Sequence, residues 1–162
     1  MRSLSYLLGL AVCLSTIAVA GDFATGLTAY QKGDYVTAAR EWRPLAEEGD
    51  APTQYNLGLL YLDGHGVALD YGEAVKWFKR SADQDYTEAQ HDLGAMYGAG
   101  KGVKRDYVEA YKWMNICAAK GNAGCLSQRD LIAKKLKPAQ ITQAQRLASQ
   151  FAPKKESEKA EK

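Results

Sequence analysis

Sliding the chain by 36 residues lays residues 50–85 over 86–121, and 14 positions coincide. Among them are Gly58/Gly94, Gly64/Gly100, Gly66/Gly102, Tyr61/Tyr97, Tyr71/Tyr107 and Trp77/Trp113, residue types that chance does not place in register. A period of this length is one supersecondary unit. Such a unit cannot bury its apolar face alone, so it must stack on its neighbours, and the fold becomes an array.

Each unit reads as two helices. Leu57, Gly58 and Tyr61 recur at helical spacing and place a leucine, a glycine and an aromatic near one stripe. Glycine costs about 1 kcal/mol inside a helix, so Gly58 implies close approach of a neighbouring helix. Gly64-His65-Gly66 and Gly100-Lys101-Gly102 then break the chain. The second helix opens at Asp70 and again at Asp106, each an N-cap, with Glu73 and Glu109 three residues on expected to reach back. Ala74, Trp77 and Ala82 give that helix its buried face. The tryptophans and tyrosines that repeat in register are therefore core residues rather than a ligand box.

The flanks differ. Residues 22–49 form a partial first unit in which Gly33-Asp34-Tyr35, Ala38, Trp42, Ala46 and Gly49 echo the second half of the later repeats. Residues 122–151 supply capping helices, the last from Pro138 with Ile141, Ala144, Leu147 and Phe151 on one face. Residues 152–162, rich in lysine and glutamate, are expected to be a disordered charged tail. Residues 1–20 read as a signal peptide: Met1-Arg2, a mostly apolar, uncharged run of 17 residues from Leu4 to Ala20, and Ala18-Val19-Ala20 at its end before Gly21. Cleavage after Ala20 places the protein in the periplasm or medium and leaves no stable membrane insertion. Lipidation at Cys13 is disfavoured by the bulky Val12 before it.

Removal of that segment leaves 20 basic against 19 acidic residues, because Arg2 is its only charged side chain. Near-neutrality gives no general electrostatic reason to bind nucleic acid. It also leaves Cys117 and Cys125 as the only cysteines, and an even pair in an exported chain reads as a disulfide. A metal site or a reactive thiol is the rival reading, although no His, Asp or Glu lies between the two and no C-x₂-C is present.

The string Leu57-Gly58-x-x-Tyr61-x-x-Gly64-x-Gly66-Val67, then Asp70, Ala74, Trp77 and Ala82, resembles the Sel1-like repeat, a relative of the tetratricopeptide repeat. Residues 93–118 repeat it. The resemblance implies an all-α, right-handed α/α solenoid of helix pairs over residues 21–151. It implies adaptor roles in secretion, signalling or host contact, and no particular reaction. The eight-residue spacing of Cys117 and Cys125 resembles that of the Helicobacter cysteine-rich Sel1-repeat proteins. That likeness implies a bridge from the second helix of one repeat to the first helix of the next. Some of those relatives are linked to penicillin binding or β-lactam hydrolysis, so a β-lactam- or peptidoglycan-directed hydrolase is the alternative function. Ser81, Ser127 and Ser149 all lack the lysine three residues on that such serine chemistry uses.

By analogy with tetratricopeptide stacking, the concave face is lined by positions that vary between repeats. These are Leu27 and Tyr30, Tyr55, Leu59 and Leu62, and His91 and Ala95, with Asp63 at the edge. The strip suits a protein or peptide partner. Neither histidine has ligand or nucleophile partners at motif spacing, and His65 reads as an exposed turn residue. No catalytic residue, metal or cofactor is expected.

Overall fold

A computed structural model of the chain describes residues 21–154. The expected signal segment and residues 155–162 of the expected tail lie outside the described residues. Within them are eight helices and no strand: α1 (Phe23–Gln31), α2 (Tyr35–Glu48), α3 (Ala51–Asp63), α4 (Tyr71–Asp83), α5 (Thr87–Ala99), α6 (Tyr107–Ala118), α7 (Ala123–Ala133) and α8 (Pro138–Ser149). Each of α1 to α6 packs on the next in sequence, and α8 folds back onto α6. This is an α-solenoid of helix pairs closed at one end by a docked helix.

Three apolar clusters run along it, the smallest being Met114, Cys117 and Cys125 with Ile132 packed against them. One joins Ala38, Trp42 and Ala46 of α2 to Leu57 and Leu60 of α3 and Trp77 of α4. The next joins Phe78 and Ala82 of α4 to Leu93 and Met96 of α5 and Trp113 of α6. The helix glycines sit where the packing is closest. A Cβ on Gly58 would lie 2.6 Å from the ring of Phe78, and one on Gly94 would lie 3.1 Å from the Met114 methyl.

Gln54 and Gln90 are fully buried and tie one repeat to the next. The Gln54 amide donates to the Ala46 carbonyl at 3.0 Å, and the Gln90 amide donates to Ala82 at 3.3 Å. Each bond joins the last turn of a second helix to the first turn of the following first helix. At the next junction the corresponding residue is Leu126, 45% exposed, and the tie is covalent instead: Cys117 of α6 and Cys125 of α7 form a disulfide, Cα to Cα 5.8 Å. Both cysteines are fully buried.

Asp70 and Asp106 cap α4 and α6 as expected, each taking two backbone N–H groups at 2.8–3.1 Å. Glu73 and Glu109 do not reach back. The N–H groups they were expected to bind are already donated, Asp70 to the Tyr61 carbonyl and Asp106 to the Tyr97 carbonyl, each at 3.0 Å, and the carboxylates pair instead with Lys76 and Lys112 one turn on. His65 differs too: it stacks flat on Tyr35, ring centroids 4.3 Å apart, and so joins α2 to the α3–α4 turn. At α8, Lys137 offers no acceptor, but the Gln140 side chain accepts from the Lys137 N–H at 2.9 Å and secures that end. Phe151 then sets its edge against Trp113 at 5.6 Å. Of residues 152–154, Lys154 donates its N–H to the Asp83 carbonyl at 2.8 Å, so the chain stays against α4 beyond the last helix.

Candidate functional site

The residues expected along the concave face come from α1, α3 and α5, and the structure groups them unevenly. Leu27 is 38% exposed, but Tyr30 turns inward between Tyr35 and Trp42 at 5.2 and 5.6 Å. Both belong with α2 rather than with the rest of the strip. Leu59 and Leu62 are half-buried and pack against the second apolar cluster, leaving Asp63 exposed at the helix end.

Tyr55 and His91 are brought together through a residue that sequence reasoning passed over, Asp92. The Tyr55 hydroxyl donates to Asp92 Oδ2 at 3.1 Å, and His91 Nδ1 lies 2.8 Å from Asp92 Oδ1. The chain of contacts continues to α7, where Gln128 Nε2 lies 3.3 Å from His91 Nε2. With neutral His91 every link is satisfied: Gln128 donates to Nε2, Nδ1–H donates to Asp92, and Tyr55 donates to the second carboxylate oxygen. Burial, followed by the Asp92 carboxylate, pushes the Tyr55 hydroxyl above the ordinary phenol range. A ladder of polar side chains therefore crosses the first helices from α3 through α5 to α7. The register had a signal for it, since Asn56, Asp92 and Gln128 stand 36 residues apart.

Beside the ladder lies an open cleft of ≈ 270 Å³ between α5 and α7. Its floor is Gly94, Ala95 and Gly98, and its walls are Tyr107, Leu131 and Ile132. The cleft exists because the third unit carries Ala95 and Gly98 where the second carries Leu59 and Leu62. Leu131 is left 57% exposed at the rim. Of the residues expected in the groove, Ala95 alone lines this space.

A polar ladder beside an apolar slot can fix the orientation of a bound chain and take an apolar side chain. His91 Nε2 is held by Gln128 rather than by a nucleophile, and Cys125 is oxidised. Among the described residues no group of three or more His, Cys, Asp or Glu could hold a metal ion. No helix of the described residues is long and apolar enough to cross a membrane.

The model of the Sel1 repeat family matches residues 51–86 and 87–122, each one pair of helices. The chain carries two Sel1 repeats. Among solved structures, the chain is similar to a protective antigen present in uropathogenic Escherichia coli strains that displays an SLR fold. The TM-score is 0.75 at 32% identity, covering 82% of this chain and 29% of that one. It is also similar to a Sel1 repeat protein from Oxalobacter formigenes, TM-score 0.66 at 24% identity, covering 81% of this chain and 56% of that one. The second likeness speaks to the fold alone. The chain thus spans about a third and just over half of these two relatives. A search of curated proteins gives no match. Sel1 repeats generally mediate protein interactions.

Proposed function

We propose that this protein is an exported, non-catalytic adaptor that binds a protein or peptide on its first-helix face. The binding surface runs from Tyr55, Leu59 and Leu62 across His91 to the α5–α7 cleft. Export rests on the leader-like residues 1–20 and on a buried disulfide, a bond that persists in oxidising compartments. The observation that carries the binding reading is the cleft itself. Ala95 and Gly98 leave apolar space open next to an exposed leucine, where the neighbouring repeat fills the same space with its own side chains. Exposed apolar concavities with a few convergent polar groups are where ligands bind.

The test is photocrosslinking in the native host with a benzophenone side chain at Leu131 and, separately, at Leu59. A probe at Lys76, on the opposite face and 71% exposed in its side chain, is the control. A discrete adduct from the first-helix positions and none from Lys76 is the expected result. Equal labelling from all three would end the reading.

A further inference from the structure

Near-neutrality of the chain conceals a division of charge. Residues 21–99 carry 13 acidic and 6 basic side chains, while residues 100–154 carry 3 acidic and 11 basic. In a solenoid, sequence position is position along the axis. The α1–α5 end is therefore net −7 and the end from the α5–α6 turn to α8 net +8.

The positive charge has a focus. Parallel first helices α5 and α7 end side by side, and Ala99 and Lys135 line the same cleft from those two ends. Lys134 and Lys135 follow the last turn of α7, and Arg105 stands over the ring of Tyr107, a cleft wall, at 5.8 Å. All three cations are exposed, and no carboxylate of the described residues pairs with them. The apolar slot is therefore rimmed by unneutralised cations at the helix ends, while its other side meets the Tyr55–Asp92–His91 ladder.

We infer that the α5–α7 cleft recognises an acidic segment of a partner protein, one apolar side chain entering between Ala95 and Leu131 while carboxylates meet Arg105, Lys134 and Lys135. This rests on the binding reading above and names the chemistry of the partner. Charge complementarity at the rim selects the partner's sign and raises its association rate, and the slot supplies burial. A long polyanion such as nucleic acid fits less well. It would run from the cleft onto a surface of net charge −7, and an apolar slot of small residues offers no stacking platform.

The probe is a random dodecapeptide library displayed on phage, panned against the disulfide-bonded protein. Panning is repeated against a triple variant, Arg105→Glu with Lys134→Glu and Lys135→Glu. These positions are exposed, and unchanged helical circular dichroism confirms folding. Acidic sequences with a recurrent apolar residue are expected from the parent. A synthetic consensus peptide should bind the triple variant at least about tenfold more weakly, and added salt should weaken its binding to the parent. Peptides without net negative charge, or peptides kept by the triple variant but lost on Leu59→Glu, would overturn the inference and leave the binding face intact. No enrichment against either protein would end both readings. Light scattering at low salt is the companion measurement. Self-association abolished by the triple variant would assign the cleft to the acidic end of a second copy and overturn the inference.

Discussion

Asp85 occupies a position where the other units have glycine, Gly49 and Gly121, and it adopts their left-handed backbone with φ 74°. An L-residue there costs of order 1 kcal/mol. The side chain offsets this by tying three segments together: its carboxylate pairs with Lys120 of the next repeat and accepts from Gln90 at 2.9 Å. Burial alone would raise its pKa. The hydrogen bonds from Lys120 and Gln90, with the Lys120 charge, outweigh that and hold it below the ordinary 3.8. A carboxyl depressed on folding contributes stability that is complete above its unfolded pKa and fades as pH falls through the folded one. Asp85→Asn keeps a side chain that tolerates the backbone but removes the charge. The variant is expected to melt lower than the parent near neutrality, and the gap should close below about pH 4. Melting curves from pH 2 to 7 measure this, and a gap independent of pH would show that the Lys120 pair contributes nothing. The two helix glycines make a second comparison. At Gly58 an added methyl meets the rigid Phe78 ring, so Gly58→Ala should cost about 1–3 kcal/mol. At Gly94 it meets the flexible Met114 at 3.1 Å and the Ala110 carbonyl oxygen at 3.3 Å, so Gly94→Ala should cost about 1 kcal/mol or less, below Gly58→Ala, helped by better helix propensity. Urea unfolding curves for the pair decide it.

At the level of elements, much was legible because it is written in local chemistry that repeats. The N-cap aspartates, the Gly-x-Gly breaks and the in-register Trp and Leu positions fall on α3 to α6 with boundaries within a few residues. What sequence misjudged was the partner each side chain prefers. Glu73 met an N-cap amide already donated to the Tyr61 carbonyl of α3 and paired with Lys76, while His65 found Tyr35 from a different repeat. Both outcomes depend on spacing across the stack, which a one-dimensional pattern does not carry. The cleft was half legible. Leu59 against Ala95 and Leu62 against Gly98 record a loss of side-chain volume, yet only the packing of α7 beside α5 turns that loss into open space. The α6–α7 junction also shows how one element can be held by different chemistry. With leucine in place of the buried glutamine, α7 depends on its disulfide. Cys117→Ser with Cys125→Ser should cost about 2.5 kcal/mol by loop-closure entropy. That corresponds to a fall in Tm of roughly 10 °C for a domain of this size. Differential scanning calorimetry of the double variant measures the loss, and a shift under a few degrees would mean that packing of Met114 and Ile132 already secures the helix.

For the whole molecule, net charge was the wrong summary. A chain of balanced composition becomes a rod with an acidic and a basic end once its repeats are stacked in order, and only a running count along the sequence would have shown it. The same linear build governs stability, because each element answers mainly to its neighbours. The two ends are not equally secured. α1 packs on α2 alone among its strong contacts, buries only Gly26 and Ala29, and leaves Phe23 and Leu27 more than a third exposed. At the other end α7 is cross-linked to α6, and α8 is pinned through Ala144, Phe151 and Lys154. Local opening should follow this asymmetry. In native-state hydrogen exchange, amides of α1 are expected to exchange first, those of α3 to α6 last, and those of α7 and α8 in between. Reduction should move α7 toward the rate of α1 and leave α3 and α4 unchanged, because the lost bond touches only the last junction. If reduction instead sped exchange equally in every helix, the repeats would be unfolding as one cooperative unit. The binding cleft between α5 and α7 would then owe its shape to the whole stack rather than to the disulfide beside it.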